Sequence, residues 1–400
     1  MLNPLLTLYR LPVLLGLLLL LAATGCTASA KQVTNESGSA ERVEKRLGTQ
    51  YEDIILTKVA GPLENPWSVA LMPDGRMLVT ERSGRLQLVN GADLTEIGGV
   101  PEVAARGQGG LLDVVLHPRY ADNGWIYLTY SKPSPDGDTT ATALVRARID
   151  EAAMTLTDVE ELFVQNRFSQ PGRHYGSRLA WMLDGTLLMS IGDRGNEPPR
   201  AQDLSDHAGT VLRMNDDGSV PGDNPFLDNP DALDEIYSYG NRNIQGLVVD
   251  PDSGRIWATE HGPRGGDEIN LIQPGHNYGW PVVTLGLNYR DQGPFPDAEA
   301  RSKDGMTDPF YEFLPTHAPS GLALVTHERF SAWKGDLLAG GLRSERIRRV
   351  VFDEQEVLHE EELLLQEVGR IRDVREGPDG AIWVLTDASE GYLYRMQPAE

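Results

Sequence analysis

Leu183-Asp184-Gly185, followed by the short apolar run 186–192 (TLLMSIG), decides the fold. An Asp-Gly pair between apolar segments marks a tight turn joining two antiparallel strands, because glycine takes the backbone dihedrals that such a turn demands. The same unit returns five times. Met72-Pro73-Asp74-Gly75 precedes 76–81, the stretch 117–124 precedes 125–130, and Asp250-Pro251-Asp252-Ser253-Gly254 precedes 255–260. Trp333-Lys334-Gly335 precedes 336–340, and Gly377-Pro378-Asp379-Gly380 precedes 381–387. Six units over about 350 residues allow roughly 58 residues each, enough for a four-stranded blade with inserted loops. The expected fold is all-β: a six-bladed β-propeller with four-stranded antiparallel blades. A sandwich or two β-domains would also accept the turn pattern, and the pattern says nothing about chemistry.

The spacing is uneven, with the largest insertion expected between Gly262 and Pro319. Residues 353–367 carry seven acids among apolar residues. They read as strands 356–358 and 363–365 joined by an acidic turn on a solvated edge, with a helix as the alternative.

Composition agrees with a turn-rich globular chain. There are 42 glycines and 26 prolines in 400 residues, above the ordinary share. Hydrophobic residues make 40%, enough for a large packed core. Lys plus Arg is 36 against 59 Asp plus Glu, a net charge of −23. Such a surface repels phosphate backbones, so no nucleic-acid partner is expected, whereas divalent cations suit it.

The N-terminus carries an address. Arg10 precedes the apolar run 11–23, too short to span a bilayer comfortably. Ala23-Thr24-Gly25-Cys26 follows, and small residues ahead of a cysteine resemble a bacterial lipoprotein signal. Ala23 departs from that pattern, where leucine is usual; an ordinary secretory signal is the alternative. Cys26 is the one cysteine, so no intramolecular disulfide can form. The organisation read here is a signal peptide over 1–25, a flexible tether over 26–48 and a β-propeller catalytic domain over 49–400. The expected location is the periplasm, with a lipid on Cys26 holding the chain to a bacterial membrane, the outer membrane favoured.

A propeller gathers loops from every blade around its axis, so polar residues in Gly-rich loops are candidates for one site. In Gly107-Gln108-Gly109-Gly110-Leu111-Leu112-Asp113 the glycines permit close ligand approach by Gln108, or simply make a tight turn. His174-Tyr175-Gly176-Ser177-Arg178-Leu179 offers a loop histidine, the natural base near neutral pH. Asp193, in Ile191-Gly192-Asp193-Arg194-Gly195, could orient it; an exposed His without a role is the plainer reading. Tyr239-Gly240-Asn241-Arg242-Asn243-Ile244-Gln245-Gly246 places an arginine among amides, suited to planar anions or to a turn closing a blade. Glu260-His261-Gly262-Pro263-Arg264-Gly265-Gly266-Asp267-Glu268, with Asn277-Tyr278-Gly279-Trp280-Pro281, supplies carboxylates and freed carbonyls of the kind calcium takes, without EF-hand spacing. Arg343, Arg370 and Arg372 could hold an anionic cofactor or pair with neighbouring acids. Arg370 and Arg372 leave one face of a strand.

In order along the chain, GQGGLLDVVLHP, the His174 loop with IGDRG, GNRNIQGL, EHGPRGGDEIN with NYGWP, PTHAPSG and GRIRDV resemble the soluble quinoprotein sugar dehydrogenases, and among them the periplasmic aldose sugar dehydrogenases. The resemblance runs from Asn65-Pro66-Trp67 to Val384-Leu385-Thr386-Asp387. It implies pyrroloquinoline quinone (PQQ) and calcium (Ca2+) as cofactors, an aldose as substrate, an aldonolactone as product and an unidentified external electron acceptor.

The resemblance also implies roles. His174 matches the catalytic base, and Gln108 and Asp193 match polar residues of the same pocket. Arg242 and Asn243 match residues at the quinone and its reacting carbonyl. The carbonyls of Gly262 and Pro263 match ligands of the active-site calcium, and Glu268 and Tyr278 match a further, structural calcium. Thr316, Arg370 and Arg372 match cofactor-pocket positions. Arg343 stands where some members carry Lys, and Arg173 replaces an acidic residue of the glucose dehydrogenase branch. The loop 284–311 is shorter than in that branch, which implies a more open sugar site. Two readings of other classes remain at this stage: a calcium-dependent propeller lactonase, and a non-catalytic propeller that binds carbohydrate or protein.

Overall fold

The computed structural model describes residues 44–170 and 172–399. The expected signal, Cys26 and most of the tether lie outside these residues. The described residues form six antiparallel sheets, five of four strands and one of five. The inner strands are Pro66–Leu71, Leu111–Leu116, Leu179–Trp181, Ile244–Val249, Pro319–Leu324 and Ile371–Glu376. Each touches the inner strands of both neighbours, and the sixth returns to the first, so the sheets close a six-bladed β-propeller. We number the blades 1 to 6 in that order.

All six turns found in the sequence join an inner strand to the second strand of its own blade. The glycines Gly75, Gly124, Gly185, Gly254, Gly335 and Gly380 that end them have φ between 68° and 92°, the left-handed region where a Cβ is disfavoured. These turns therefore share one end of the propeller. The other end is formed by the loops that lead into the inner strands and leave the second strands; we call it the mouth.

Blade 6 closes the ring with chain from both ends. Its order outward is Ile371–Glu376, Ile382–Thr386, Gly391–Pro398, Ile54–Leu63 and Glu44–Leu47. The last of these corrects the tether boundary, because Glu44–Leu47 pairs antiparallel with Ile54–Leu63. Ion pairs from Lys45 to Glu367 and from Arg46 to Asp53, and contact of Leu47 with the core, hold this otherwise polar strand.

The acidic stretch is also corrected. It forms one edge strand, Val357–Leu363, in place of two strands and a turn. Glu360, Glu361 and Glu362 lie within it, facing Arg348 and Arg349 on the neighbouring strand of blade 5 and Arg346 just before that strand. Cross-strand cations neutralise the acids that local sequence would place in a turn. The large insertion is the loop between Asp267–Ile272 and Tyr311–Phe313.

Apolar side chains pack between adjacent blades. Trp257 and Phe313 of blade 4 meet Leu322 and Leu337 of blade 5, and comparable clusters fill the other five seams. The axis itself is polar. Arg178 reaches Asp373 at 3.0 Å and Asp113 at 3.5 Å, while Arg375 reaches the same two carboxylates at 3.0 and 2.9 Å. Asp113 also accepts from Ser68 Oγ at 2.5 Å and the Leu179 amide at 2.8 Å, and Asp373 accepts from the Val69 amide at 3.2 Å. Replacing Asp113 by alanine is expected to cost about 3–5 kcal/mol, the range for breaking a buried ion pair from one side. A lowered urea midpoint with unchanged slope is the readout. Arg148→Gln, which removes the exposed pair with Asp158, should stay within about 1 kcal/mol.

Candidate active site

The mouth brings together loops far apart in sequence. His174 precedes the inner strand of blade 3, Arg242 and Asn243 that of blade 4, Thr316 that of blade 5 and Arg370 that of blade 6. Gln108 precedes the inner strand of blade 2, while Asp193, Gly262 and Arg343 follow second strands.

His174 is 7% exposed and sits in the left-handed region at φ 56°. Its carbonyl oxygen lies 2.2 Å from where a Cβ of Gly192 would stand, so the IGDRG glycine is what lets the histidine loop close down on this strand end. Its Nδ1 is 2.6 Å from Asp193 Oδ1, and its amide donates to Gln108 Oε1 at 2.8 Å. Asp193 accepts further bonds from Trp280 Nε1 at 2.7 Å and the Gly195 amide at 2.6 Å. Burial pushes the Asp193 carboxyl up, but His174 and Arg242 outweigh it and hold it below the usual carboxylate range. Burial first, then the Arg242 charge, push the His174 imidazole down, against the pull of Asp193. A carboxylate accepts only, so Nδ1 carries the proton and Nε2 keeps a free lone pair. That is the state of a general base.

Arg242 is buried against Trp280, its guanidinium 5.2 Å from the ring centre. Its Nη1 donates to the carbonyls of His261 and Gly262 at 3.0 and 2.8 Å. Asn243 Oδ1 accepts the Gly176 amide at 3.1 Å. The Gly262–Gly266 loop is compact: a Cβ on Gly262 would come within 2.2 Å of the carbonyls of Gly265 and Gly266. Asp267, which the sequence reading left without a role, ties this loop to the next one. It accepts from the Gly262 amide at 3.1 Å, from Thr316 Oγ1 at 2.6 Å and from the His317 and Ala318 amides at 2.8 Å. Thr316 therefore spends its hydroxyl on Asp267. The Pro263 carbonyl accepts from Tyr289 at 2.7 Å.

A pocket opens between these loops, lined by Gln108, Asn243, Gln245 and His261 with Trp67, Tyr175, Arg82, Arg370, Arg372 and Asp387. Three guanidiniums thus meet one carboxylate. Arg370 and Arg372 both hold Asp387, at 2.7 and 3.2 Å. Burial pushes Arg372 down to about 10, so it remains cationic at neutral pH. Nε of Arg82, Nε of Arg372 and Oδ1 of Asp387 are buried with no hydrogen-bond partner among the described residues. An excess of positive charge, unused donors and flat Trp67 and Tyr175 side chains fit a planar polycarboxylate. Arg343 is exposed on the rim and does not line this pocket, nor does Thr316.

Glu268 lies elsewhere, on the blade 4 sheet, in register between Glu260 and Glu312. Asn270 Nδ2 reaches both Glu260 and Glu268 at 3.3 Å. Burial, and then the Glu260 charge, push the Glu268 carboxyl far up; burial raises Glu260 to about 7. A small cavity bounded by Glu260, Glu268 and Tyr278 adjoins them. Adjacent buried carboxylates and nearby carbonyls suit a hard cation. Among the described residues no three His, Cys, Asp or Glu side chains form a metal-holding cluster, so a cation at Gly262 and Pro263 would rest on carbonyl oxygens.

Trp280, Asp267, His261, Trp67, Arg82 and Asp387 carry the site and were not singled out from sequence. A positional signal existed for several of them. Arg82, His261 and Asp387 each immediately follow the second strand of a blade, close to where Asp193 stands in blade 3.

Because the folded His174 value lies below that of the unfolded chain, protonation favours unfolding. The stability carried by neutral His174 is complete above about pH 6.5 and falls as pH drops below it. Nitrogen NMR of the imidazole at pH 7 should show Nδ1 protonated and Nε2 bare, with titration below pH 6.5. In Asp193→Asn that tautomer preference should be lost.

Residues 63–395 match the family model described as Glucose / Sorbosone dehydrogenase. Aldose sugar dehydrogenase YliI of Escherichia coli (strain K12) is 40% identical over 339 residues, covering 84% of this chain and 91% of its own. The crystal structure of the soluble aldose sugar dehydrogenase from Escherichia coli in the apo-form superposes with a TM-score of 0.82 at 39% identity, covering 86% of this chain and all of that one (100%). The PQQ-bound form of aldose sugar dehydrogenase from Streptomyces coelicolor gives a TM-score of 0.72 at 29% identity, covering 90% and 99%. A six-bladed propeller whose mouth holds an oriented, neutral histidine, matched by this family model over most of its length, belongs to the glucose/sorbosone dehydrogenase family of oxidoreductases.

Proposed function

We propose that the chain oxidises aldose sugars at C1 to aldonolactones, with PQQ and calcium as cofactors and His174 as general base. The observation that carries this reading is the neutral His174 ring held by the Asp193 carboxylate at 2.6 Å, set among the loops that form an arginine-rich pocket.

When bound, the quinone would supply the hydride acceptor and calcium a Lewis acid. Arg82, Arg370 and Arg372 would hold the quinone's carboxylates, with Gln108 and Asn243 at its edge. The carbonyls of Gly262 and Pro263 would hold the active-site calcium, and Glu268 with Tyr278 a structural one. Each carbonyl already accepts one side-chain donor and has a second lone pair to offer.

The remaining chemistry belongs to the chain. His174 Nε2 takes the proton of the anomeric hydroxyl. Asp193 keeps the ring turned so that Nε2 faces the sugar, and stabilises the imidazolium that forms. Arg242 fixes a positive charge in the wall where negative charge grows during the reaction, and Trp280 orders both Arg242 and Asp193. Loss of two electrons and two protons converts the hemiacetal to the lactone; the electrons leave to an external acceptor.

A lactonase would need carboxylates converging on an axial cation. The axial carboxylates Asp113 and Asp373 are instead engaged by Arg178 and Arg375. Among the described residues no helix is long and apolar enough to cross a membrane. Export to the periplasm, with Cys26 lipidated at the outer membrane, completes the proposal; the mass of the chain from the membrane fraction tests it, and an unmodified Cys26 would remove the anchor.

Residues 27–400, purified and given PQQ with calcium, should reduce a dye when aldoses are added, and only when both cofactors are present. His174→Gln should retain PQQ binding while turnover falls at least about a hundredfold, the low end for a lost general base. Correctly folded protein with neither PQQ binding nor turnover would overturn the enzyme reading.

A further inference from the structure

Beside the His174 loop lies a second opening, a cleft of about 300 Å³ lined by Gln170, Gly172, Arg173, Arg194 and Asn196. Among the described residues its lining holds two arginines, two amide side chains and no acidic residue, in a chain with 59 acids.

The two arginines differ in what they have left to offer. Arg194 is 1% exposed and uses four of its five N–H groups: Nη1 holds the carbonyls of Arg173 and His174 at 3.0 and 3.2 Å, Nη2 holds Thr140 Oγ1 at 3.0 Å, and Nε holds Ser169 Oγ at 3.2 Å. It fixes the backbone of the residue pair 173–174 and contributes charge. Arg173 is exposed. Its Cγ, Cδ and Nε lie 2.7–2.9 Å from where a Cβ of Gly195 would stand, so the side chain is laid along the strand end whose next residues back are Arg194 and Asp193. The carboxylates near this wall are already taken: Glu197, Asp203 and Asp206 face Arg167, and Asp206 also pairs with Arg200 at 2.7 Å.

Among the described residues no ion pair engages Arg173, so an anion in the cleft would supply its partner. A guanidinium fork reads a carboxylate or phosphate at two points, and the amides of Gln170 and Asn196 suit its remaining oxygens or a sugar hydroxyl.

We propose that this cleft selects aldoses bearing an anionic group, a uronic acid or a sugar phosphate, with Arg173 as the residue that recognises the anion while C1 is presented to His174. The inference rests on the dehydrogenase reading and deepens it. The reaction is unchanged: the anomeric O–H proton would go to His174, the C1–H bond would break with its hydride passing to the quinone that the dehydrogenase reading supplies, the C1–O double bond would form, and two one-electron dye equivalents would then take the two electrons while the hydride's proton goes to water. The anionic group is not altered.

The test uses the cofactor-loaded chain with glucose, glucuronate and glucose 6-phosphate. At least one anionic sugar should exceed glucose in kcat/KM, and added salt should shrink the preference; which one it is identifies the source of the anion. Arg173→Gln should lower the ratio of anionic to neutral kcat/KM at least about tenfold, the order of a charge-assisted hydrogen bond, mainly through KM. Arg173→Lys should restore part of it. Calorimetric titration of glucuronate and glucose 6-phosphate into the chain and its Arg173→Gln variant reads binding without turnover. Oxidation of glucose with no anionic preference, and a ratio unmoved by Arg173→Gln, would overturn the inference and leave the dehydrogenase reading standing. Anion binding that depends on Arg173, without turnover of any aldose, would uphold the cleft and overturn the dehydrogenase reading. Neither binding nor turnover overturns both.

Discussion

The ion cluster on the propeller axis is the constraint on which the rest depends. Burial pushes the Arg178 guanidinium down, and Asp373 and Asp113 pull it back. A charge so deep is tolerable only when its partners are fixed, and here they come from different blades: Asp113 from blade 2, Asp373 and Arg375 from blade 6. The cluster therefore sets the distances between inner strands that share few backbone hydrogen bonds. It also builds the pocket floor. Arg178 Nε donates to the Gln245 carbonyl at 2.6 Å and Nη2 to the Arg372 carbonyl at 3.1 Å, the residues whose side chains line the cavity above.

The two ends of the molecule solve different problems. At the turn end four connections are short, while the longest, that of blade 5, has its Thr326 and His327 amides held by Glu376 of blade 6. At the mouth the loops must approach one another closely, and the backbone bears the consequence. His174, Ser177, Arg194 and Ala318 are non-glycine residues with positive φ, all on mouth loops or next to them. Strain of this kind persists where neighbouring structure over-determines it. Here Gly192 makes room for the His174 carbonyl, Arg194 holds that carbonyl, and Asp267 staples the blade 4 loop to the blade 5 loop. The placement of His174 thus rests on Gly192 and Arg194, and the joining of the next two loops on Asp267.

What was legible in the sequence follows from range. The turns, each ending in glycine and three of them in Asp-Gly, are local features, so they reported six hairpins and the strands that follow them. That His174, Gln108 and Arg242 stand on loops at one end of the ring was legible because glycines flank them, although a turn or an exposed side chain was an equal local reading. The failures are of two kinds, neighbouring-strand pairings that the local pattern did not show and contacts between blades. The strand 44–47 exists because a strand ten residues later accepts it. The acids of 357–363 form a strand because arginines on the next strand neutralise them. Thr316 turned to Asp267, and Arg343 left the pocket, for reasons set by loops from other blades. Asp387 and Arg82 gained roles only through the ring, which returns the end of the chain to its beginning.

Charge explains why an acidic protein builds so basic a mouth. A neutral imidazole beside Arg242 is simple electrostatics, yet the cation alone would leave the ring free to turn. Asp193 supplies orientation at the risk of raising the histidine into its protonated form. The structure balances the two: Arg242 and burial oppose Asp193, so the ring stays both neutral and aimed. Trp280 joins the opposing groups, its indole nitrogen on Asp193 and its ring against Arg242. Moving either charge without the other would keep one property of the imidazole and lose the second, which makes the Asp193–Trp280–Arg242 arrangement a single unit in holding His174 neutral and aimed.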